Sequence, residues 1–267
     1  MPELPEVEIF RRRFAANALR RRIDAVGAQR AGVLDGISAR QFSARLIGRR
    51  FTGVARHGKR LYCRLDRNGW MAVHFGLTGD LVPYRDREPE PAFARVVIDF
   101  AGGTRLAYVN RRMIGRIGFV EDPARDVEAK GLGPDALDPK LTAATFRARV
   151  GAKRGPIKAV LMDQAVIAGI GNEYSDEILF QCRLHPLTPA HTLDARALGR
   201  LFRATRRVLE KSIAVGADHE KLPRTYLLRA RRAGAPCPRC GGKVARLHIG
   251  GRSGYFCRSC QRKTGSE

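Results

Sequence analysis

Four cysteines constrain this chain more than any other feature: Cys237 and Cys240, then Cys257 and Cys260, spaced C-x2-C-x16-C-x2-C. Each pair stands on a short knuckle, and two knuckles together offer four thiolates at the corners of a tetrahedron. That donor set suits one closed, structural Zn²⁺. With all four positions filled by protein, such a zinc shapes the fold and takes no part in chemistry. The stretch between the knuckles, from Lys243 to Phe256, reads as a hairpin whose tip carries Arg252. A zinc ribbon of this kind either presses on nucleic acid or mediates protein contacts, and the spacing alone leaves both open.

Charge narrows the partner. Lys and Arg number 50 against 26 Asp and Glu, a formal charge of +24, which points to a polyanion: nucleic acid or an anionic membrane surface. Hydrophobic residues make up 44% of the chain, enough for a core and too many for a disordered basic tail. No apolar run approaches the roughly 18 residues that a membrane helix needs, so no membrane role is expected. The opening Met1-Pro2-Glu3-Leu4-Pro5-Glu6 is acidic where a signal peptide is basic. A cytoplasmic protein is expected, and in a reducing compartment clustered cysteines hold metal rather than disulfides.

Apolar Leu4, Val7, Phe10 and Phe14 recur at helical spacing, with Pro5 in the first turn where its missing N–H costs nothing. From Ile23 to Val120 the pattern shifts to period-two alternation, as in Leu61-Cys63-Leu65, Met71-Val73-Phe75 and Ala94-Val96-Ile98-Phe100, and predicts a β-sandwich or barrel. Glu121 to Pro139, rich in Asp, Gly and Pro, reads as a loop. Beyond it the pattern turns helical, with the longest helix over about Leu193 to Val215 and another starting near Asn172, after Gly169-Ile170-Gly171. Arg196, Arg200, Arg203, Arg206 and Arg207 on the long helix read as a solvated face. The fold class is α+β and multidomain: 1–125 sandwich with its N-terminal helix, 140–228 helical, 229–267 zinc ribbon.

The N-terminus carries a second chemical signal. Removal of Met1, usual before proline, leaves Pro2 as a secondary amine with a pKa near 7.7 to 8.0, so a usable fraction is nucleophilic at neutral pH. Attack on a sugar C1′ gives a cationic iminium that acidifies the C2′ proton and promotes elimination. Glu3 and Glu6 stand near the positive end of the helix dipole, one suited to protonating a sugar oxygen and the other to orienting the site. A plain acidic cap on the helix is the alternative.

Further motifs follow in order: His57-Gly58-Lys59-Arg60, His74-Phe75-Gly76-Leu77-Thr78-Gly79, Ile157-Lys158 with Leu161-Met162-Asp163, Gly169-Ile170-Gly171-Asn172-Glu173-Tyr174 and His185-Pro186. With the opening motif and the four-cysteine ribbon, they resemble the formamidopyrimidine-DNA glycosylase and endonuclease VIII family over nearly the whole chain; Leu4 is similar to the formamidopyrimidine branch. The resemblance implies a DNA glycosylase and AP lyase of base excision repair with a helix-two-turn-helix segment, acting as a monomer on damaged or abasic double-stranded DNA in the bacterial cytoplasm, at the nucleoid. It implies Pro2 as Schiff-base nucleophile, Glu3 as general acid, Lys59 for β-elimination and Arg252 for δ-elimination, while Glu6 joins the catalytic set from its place one helical turn on. It places His74, Leu77, Arg111, Met113, Lys158 and Asn172 at the DNA, with Leu77, Arg111 and Met113 filling the hole left by an extruded base. The alternative is a noncatalytic zinc-ribbon protein that binds damaged or branched DNA.

Departures from the family's pattern concern recognition of the lesion. Two of the three void-filling residues differ from the family's Met, Arg and Phe, and Ile114 stands as an extra residue before Gly115. Phe93 or Ala94 replaces a histidine that contacts DNA. Gly216 to Gly234 is shorter than the family's segment that closes over an everted 8-oxoguanine, so formamidopyrimidines, oxidised pyrimidines or another lesion are the expected substrates.

Overall fold

The computed structural model describes residues 2–29 and 31–262 and divides into two units. Pro2 with Glu6–Lys130 makes the first; Glu3–Pro5 with the described residues from Gly131 onward makes the second. Helix α1 (Leu4–Ala18) buries Leu4, Val7, Phe10, Phe14 and Ala18, the 3- and 4-residue steps of one helical stripe.

Among the described residues of the first unit, nine strands follow: β1 (Ile23–Ala28), β2 (Leu34–Asp35), β3 (Phe51–His57), β4 (Arg60–Leu65), β5 (Trp70–His74), β6 (Gly79–Arg85), β7 (Ala94–Phe100), β8 (Thr104–Asn110) and β9 (Arg116–Val120). They form a five-stranded sheet, β2-β9-β5-β4-β3, and a four-stranded sheet, β1-β7-β8-β6. Register follows the alternation: Leu61 faces Val73 and Cys63 faces Met71 across β4 and β5. Those side chains join Leu81, Ile98 and Leu106 of the other sheet and Val7 and Phe14 of α1 in one buried cluster, so the unit is a sandwich.

Two helices of this unit lie where the sequence pattern predicts none. Helix α2 (Ala39–Leu46) opens on a capping box, in which Ser38 Oγ accepts from the Gln41 N–H and Gln41 Oε1 accepts from the Ser38 N–H. Helix α3 (Pro123–Ala129) occupies part of the expected loop, with Asp122 capping the Ala124 N–H and Pro123 in the first turn. Asp126 of α3 is tied to the sheet by the Tyr62 hydroxyl at 2.7 Å and by Arg60 at 3.0 Å.

The second unit holds α4 (Ala143–Gly151), α5 (Ile157–Met162), α6 (Asn172–Cys182), α7 (Ala195–Ala214) and the hairpin of β10 (Val244–Ile249) and β11 (Arg252–Cys257). Asp194 caps α7, whose Leu201, Val208 and Leu209 are fully buried. Residues 216–234 fold into two short 3₁₀ turns, His219–Lys221 and Leu227–Ala230, instead of an extended loop. Buried Glu177 of α6 accepts from the Leu228 N–H at 2.9 Å, and burial pushes its pKa up to about 7. The hairpin is held by a small cluster of Phe180, Leu227, Cys237, Val244 and Cys257. Among the described residues no helix is long and apolar enough to cross a membrane.

Candidate active site and zinc centre

Glu3, the residue after the candidate nucleophile, is 1% exposed, and its carboxylate is seated on the start of α6. It accepts from the N–H groups of Gly171 at 2.6 Å, Glu173 at 2.9 Å and Tyr174 at 3.4 Å. Helix N-termini leave such donors unsatisfied and carry positive potential, so an anion there is stabilised twice over. Gly171 permits this, because a methyl group at its position would overlap the Glu3 carboxyl. The backbone is pinned next door as well, by the Leu4 N–H donating to the Gly169 carbonyl at 3.1 Å.

The same helix start gathers Asn172, Lys158 and the Arg252 hairpin. Asn172 Nδ2 donates to the Ser253 carbonyl at 2.9 Å, and Arg252 is exposed at the head of β11, paired with Ile249 across Gly250-Gly251. Lys158 corrects the sequence expectation. Its ammonium is completely buried, lies 2.7 Å from Asp176, and donates to the Asn172 carbonyl and the Ser175 hydroxyl at 2.8 Å each. A group with no exposed surface offers nothing to a DNA phosphate. Lys158 is instead the centre of a clamp: Asp176 also takes the Tyr255 N–H at 3.0 Å and Arg231 at 2.9 Å, which ties β11 to α6. Burial lowers the Lys158 pKa and raises that of Asp176, while their attraction opposes both shifts. Truncation to Lys158→Ala takes one of three partners from the buried Asp176 carboxylate, leaving Arg231 and the Tyr255 N–H, and is expected to cost about 1–3 kcal/mol, read from denaturant midpoints.

In the first unit, Pro2 is half-buried just ahead of α1 and Glu6 lies in its first turn. Lys59 occupies the tight turn between β3 and β4, where Gly58 takes φ +55. Arg56 fixes that turn by donating to the Gly58 carbonyl at 3.2 Å while pairing with Glu8 of α1 at 3.5 Å. Glu8 is held below the usual carboxylate range: burial pulls its pKa up, but Arg11, Arg12 and Arg56 outweigh it. At the far end of β5, burial first and the cations Arg60, Lys59, Lys130 and Arg116 next push the His74 pKa down to about 4, so its imidazole is neutral at physiological pH.

Leu77 and Arg111 stand on two loops, 75–78 and 111–115, that pack together. The Arg112 N–H donates to Thr78 Oγ1 at 3.2 Å, and buried Asn110 donates to the Phe75 carbonyl and to the Tyr108 hydroxyl. Met113 packs against the sandwich core, whereas its neighbour Ile114 is 46% exposed. A second exposed apolar group stands beside Arg111, at a position the sequence marks only as a departure from the family's histidine. Phe93, 49% exposed, takes a left-handed φ of +63. The guanidinium carbons of Arg95 and Arg111 lie 5.8 Å and 5.7 Å from its ring centre. A bulky residue with positive φ was the available structural signal, and no sequence period reveals one.

The four cysteines converge as their spacing predicts. Their sulfurs all lie within 4.8 Å of one another, with Cys237 to Cys260 at 3.9 Å and Cys240 to Cys257 at 3.6 Å. Four sulfurs about 2.3 Å from one zinc stand about 3.8 Å apart along a tetrahedron edge, so the set fits one structural Zn²⁺. Replacement Cys237→Ser is expected to take bound zinc from one ion per chain to none and to loosen β10 and β11; the checks are metal analysis and amide exchange of the hairpin.

A sandwich, a helix-two-turn-helix segment and a four-cysteine ribbon in this order define a class of zinc-ribbon proteins. Sequence profiles assign the three parts: formamidopyrimidine-DNA glycosylase N-terminal domain over residues 1–117, formamidopyrimidine-DNA glycosylase H2TH domain over 132–223, and the zinc finger found in FPG and IleRS over 234–262. The chain belongs to the formamidopyrimidine-DNA glycosylase family. It is 37% identical over 261 residues to the formamidopyrimidine-DNA glycosylase of Moorella thermoacetica, covering 92% of this chain and 94% of that one. Identity to the Pelotomaculum thermopropionicum protein of the same name is 32% over 278 residues, covering 98% and 99%. The crystal structure of the Lactococcus lactis glycosylase, non-covalently bound to DNA containing an AP site, superposes with a TM-score of 0.89 at 24% identity, covering 98% of this chain and 100% of that one.

Proposed function

We propose that this protein is a DNA glycosylase and AP lyase of base excision repair, working as a monomer in a bacterial cytoplasm on nucleoid DNA. With Met1 removed, the Pro2 nitrogen attacks C1′ of the damaged nucleotide and the base leaves; the C1′–O4′ bond then opens with a proton going to O4′, and the iminium so formed loses a C2′ proton and expels the 3′ phosphate, after which δ-elimination expels the 5′ phosphate. Glu3 handles the proton at the sugar oxygen with Glu6 beside it in the chain, Lys59 serves β-elimination, and Arg252 holds phosphate for δ-elimination. The functional segments are 1–125, 140–228 and 229–267. The observation that carries this reading is the seat of Glu3 on three N–H groups of α6, which gives the residue beside Pro2 a fixed place that a surface cap does not need.

Leu77, Arg111, Ile114 and Phe93 form the wedge that occupies the hole left by the extruded base, with His74 and Asn172 beside the DNA. Ile114 takes the part expected of Met113, because it is the exposed apolar side chain of that turn while Met113 packs partly against the core. The compact 216–234 segment favours ring-opened or oxidised bases that need no long covering loop. Duplexes bearing a single formamidopyrimidine, oxidised pyrimidine or 8-oxoguanine test this. Base release and strand nicking are expected, with 8-oxoguanine slowest; tight binding to every duplex with no base released from any would establish a noncatalytic binder instead.

A further inference from the structure

The long helix α7 carries five arginines that pattern alone reads as one solvated face, but the structure sorts them. Arg206 is occupied, donating to the Asp138 carbonyl at 3.3 Å and pairing with Glu210 at 3.5 Å. Arg200, Arg203 and Arg207 instead line a cleft of about 420 Å³ together with Arg183, Cys182 and Gln181 at the C-terminal end of α6. No carboxylate lines this cleft, and none of its four arginines forms an ion pair among the described residues. Like charges converging without a counter-charge repel one another, and a bound polyanion removes that repulsion.

Capping of α6 does not account for the cluster. A helix C-terminus carries roughly half a negative charge, and Arg239 already meets it, donating to the Phe180 carbonyl at 2.9 Å with its guanidinium 4.3 Å from the Phe180 ring centre. Four further cations exceed that need. Arg183 also occupies the residue just past α6 with φ +56, a left-handed position where glycine is the unstrained choice. An arginine stands there in spite of its backbone.

We infer that this cleft is a second DNA-binding site, which takes the phosphodiester backbone of an undamaged duplex segment. Residues 200, 203 and 207 fall on one side of α7 and span about 10.5 Å at 1.5 Å per residue. Along a duplex that length faces about three phosphates of one strand, at 3.4 Å per phosphate, so the three arginines match the spacing of their ligand. The cleft lies at the other end of α6 from Asn172, about 15 Å away along an 11-residue helix. The segment it holds is therefore distinct from the one whose lesion is processed. The inference rests on the proposed DNA repair function and gives it a search device: a protein holding one duplex reaches for another before letting go.

The test is a bridging assay. Protein is loaded on a bead-bound short duplex containing an abasic-site analogue, and capture of a labelled undamaged duplex is measured against salt. Wild type is expected to capture the second duplex with a log–log salt slope of about −2.7, that is, about 0.9 for each of three phosphates. The variant carrying Arg200→Gln, Arg203→Gln and Arg207→Gln should lose capture at least tenfold. A control with Arg147→Gln, Arg196→Gln and Arg224→Gln removes the same charge elsewhere and should keep it. Equal loss in both variants would make capture a matter of net charge and overturn the site, as would no capture by wild type, or a cleft that holds polyglutamate but not duplex. Single-turnover base release on a short lesion duplex is expected to be unchanged in all three proteins, and its failure in wild type would refute the proposed function separately.

Discussion

Protein in which Pro2 is blocked, by retained Met1 or by a tag, is expected to lose Schiff-base formation on abasic DNA. The block turns a basic amine into an amide, whose nitrogen has no available lone pair. At pH 7.5 an α-amino group of pKa about 7.8 is roughly one-third unprotonated, whereas a lysine of pKa about 10.4 is roughly 0.1% unprotonated. Substitution of a lysine for Pro2 as nucleophile therefore starts from a deficit of about 260-fold in reactive amine, before any loss of position. Borohydride reduction converts the iminium to a stable amine, so the covalent adduct on a gel measures the effect directly. Equal trapping by blocked and processed protein would remove Pro2 from the mechanism.

The second large effect is expected from Glu3→Gln. Loss of a positioned general acid typically costs 10²–10⁴-fold, and base release should fall by that order. Trapping on a preformed abasic site, where the base is already gone, should change less than about tenfold on the same argument. Glutamine keeps one oxygen to accept from α6 but presents an amide N–H₂ where the carboxylate held its second oxygen. Leaving buried donors unmet costs about 1–3 kcal/mol, so thermal stability should drop while the fold persists. If Glu3→Gln destabilised the protein yet released bases normally, the carboxylate would be a structural cap and nothing more.

How much of this was visible in the residues depended on the range of each interaction. The cysteine quartet is legible because its geometry is set within two short knuckles, and the sandwich strands because burial on one face imposes alternation. Helix α1 was legible from its stripe. Helices α2 and α3 are hidden from periodicity although Ser38 with Gln41, and Asp122 with Pro123, carry the local capping signals; they are short and lie among strand patterns. The burial of Lys158 is hidden for a deeper reason. Its partner Asp176 comes from another helix, and no periodicity announces a buried pair. The division of the α7 arginines is likewise invisible in spacing, since Arg206 and Arg207 are adjacent in sequence and differ only in what each meets in space.

Glu3 and Gly171 stand 168 positions apart, yet the start of α6 is complete only when they meet. During synthesis at about 5–20 residues per second, the N-terminus waits about 10–35 s for its seat to be made. Over that interval it is an open chain end, accessible to the aminopeptidase that must uncover the Pro2 amine. Maturation and folding are thus ordered in time: on the proposed mechanism the methionine is cleaved from a nascent chain before the seating of Glu3 on α6 draws the residue after Pro2 out of solvent.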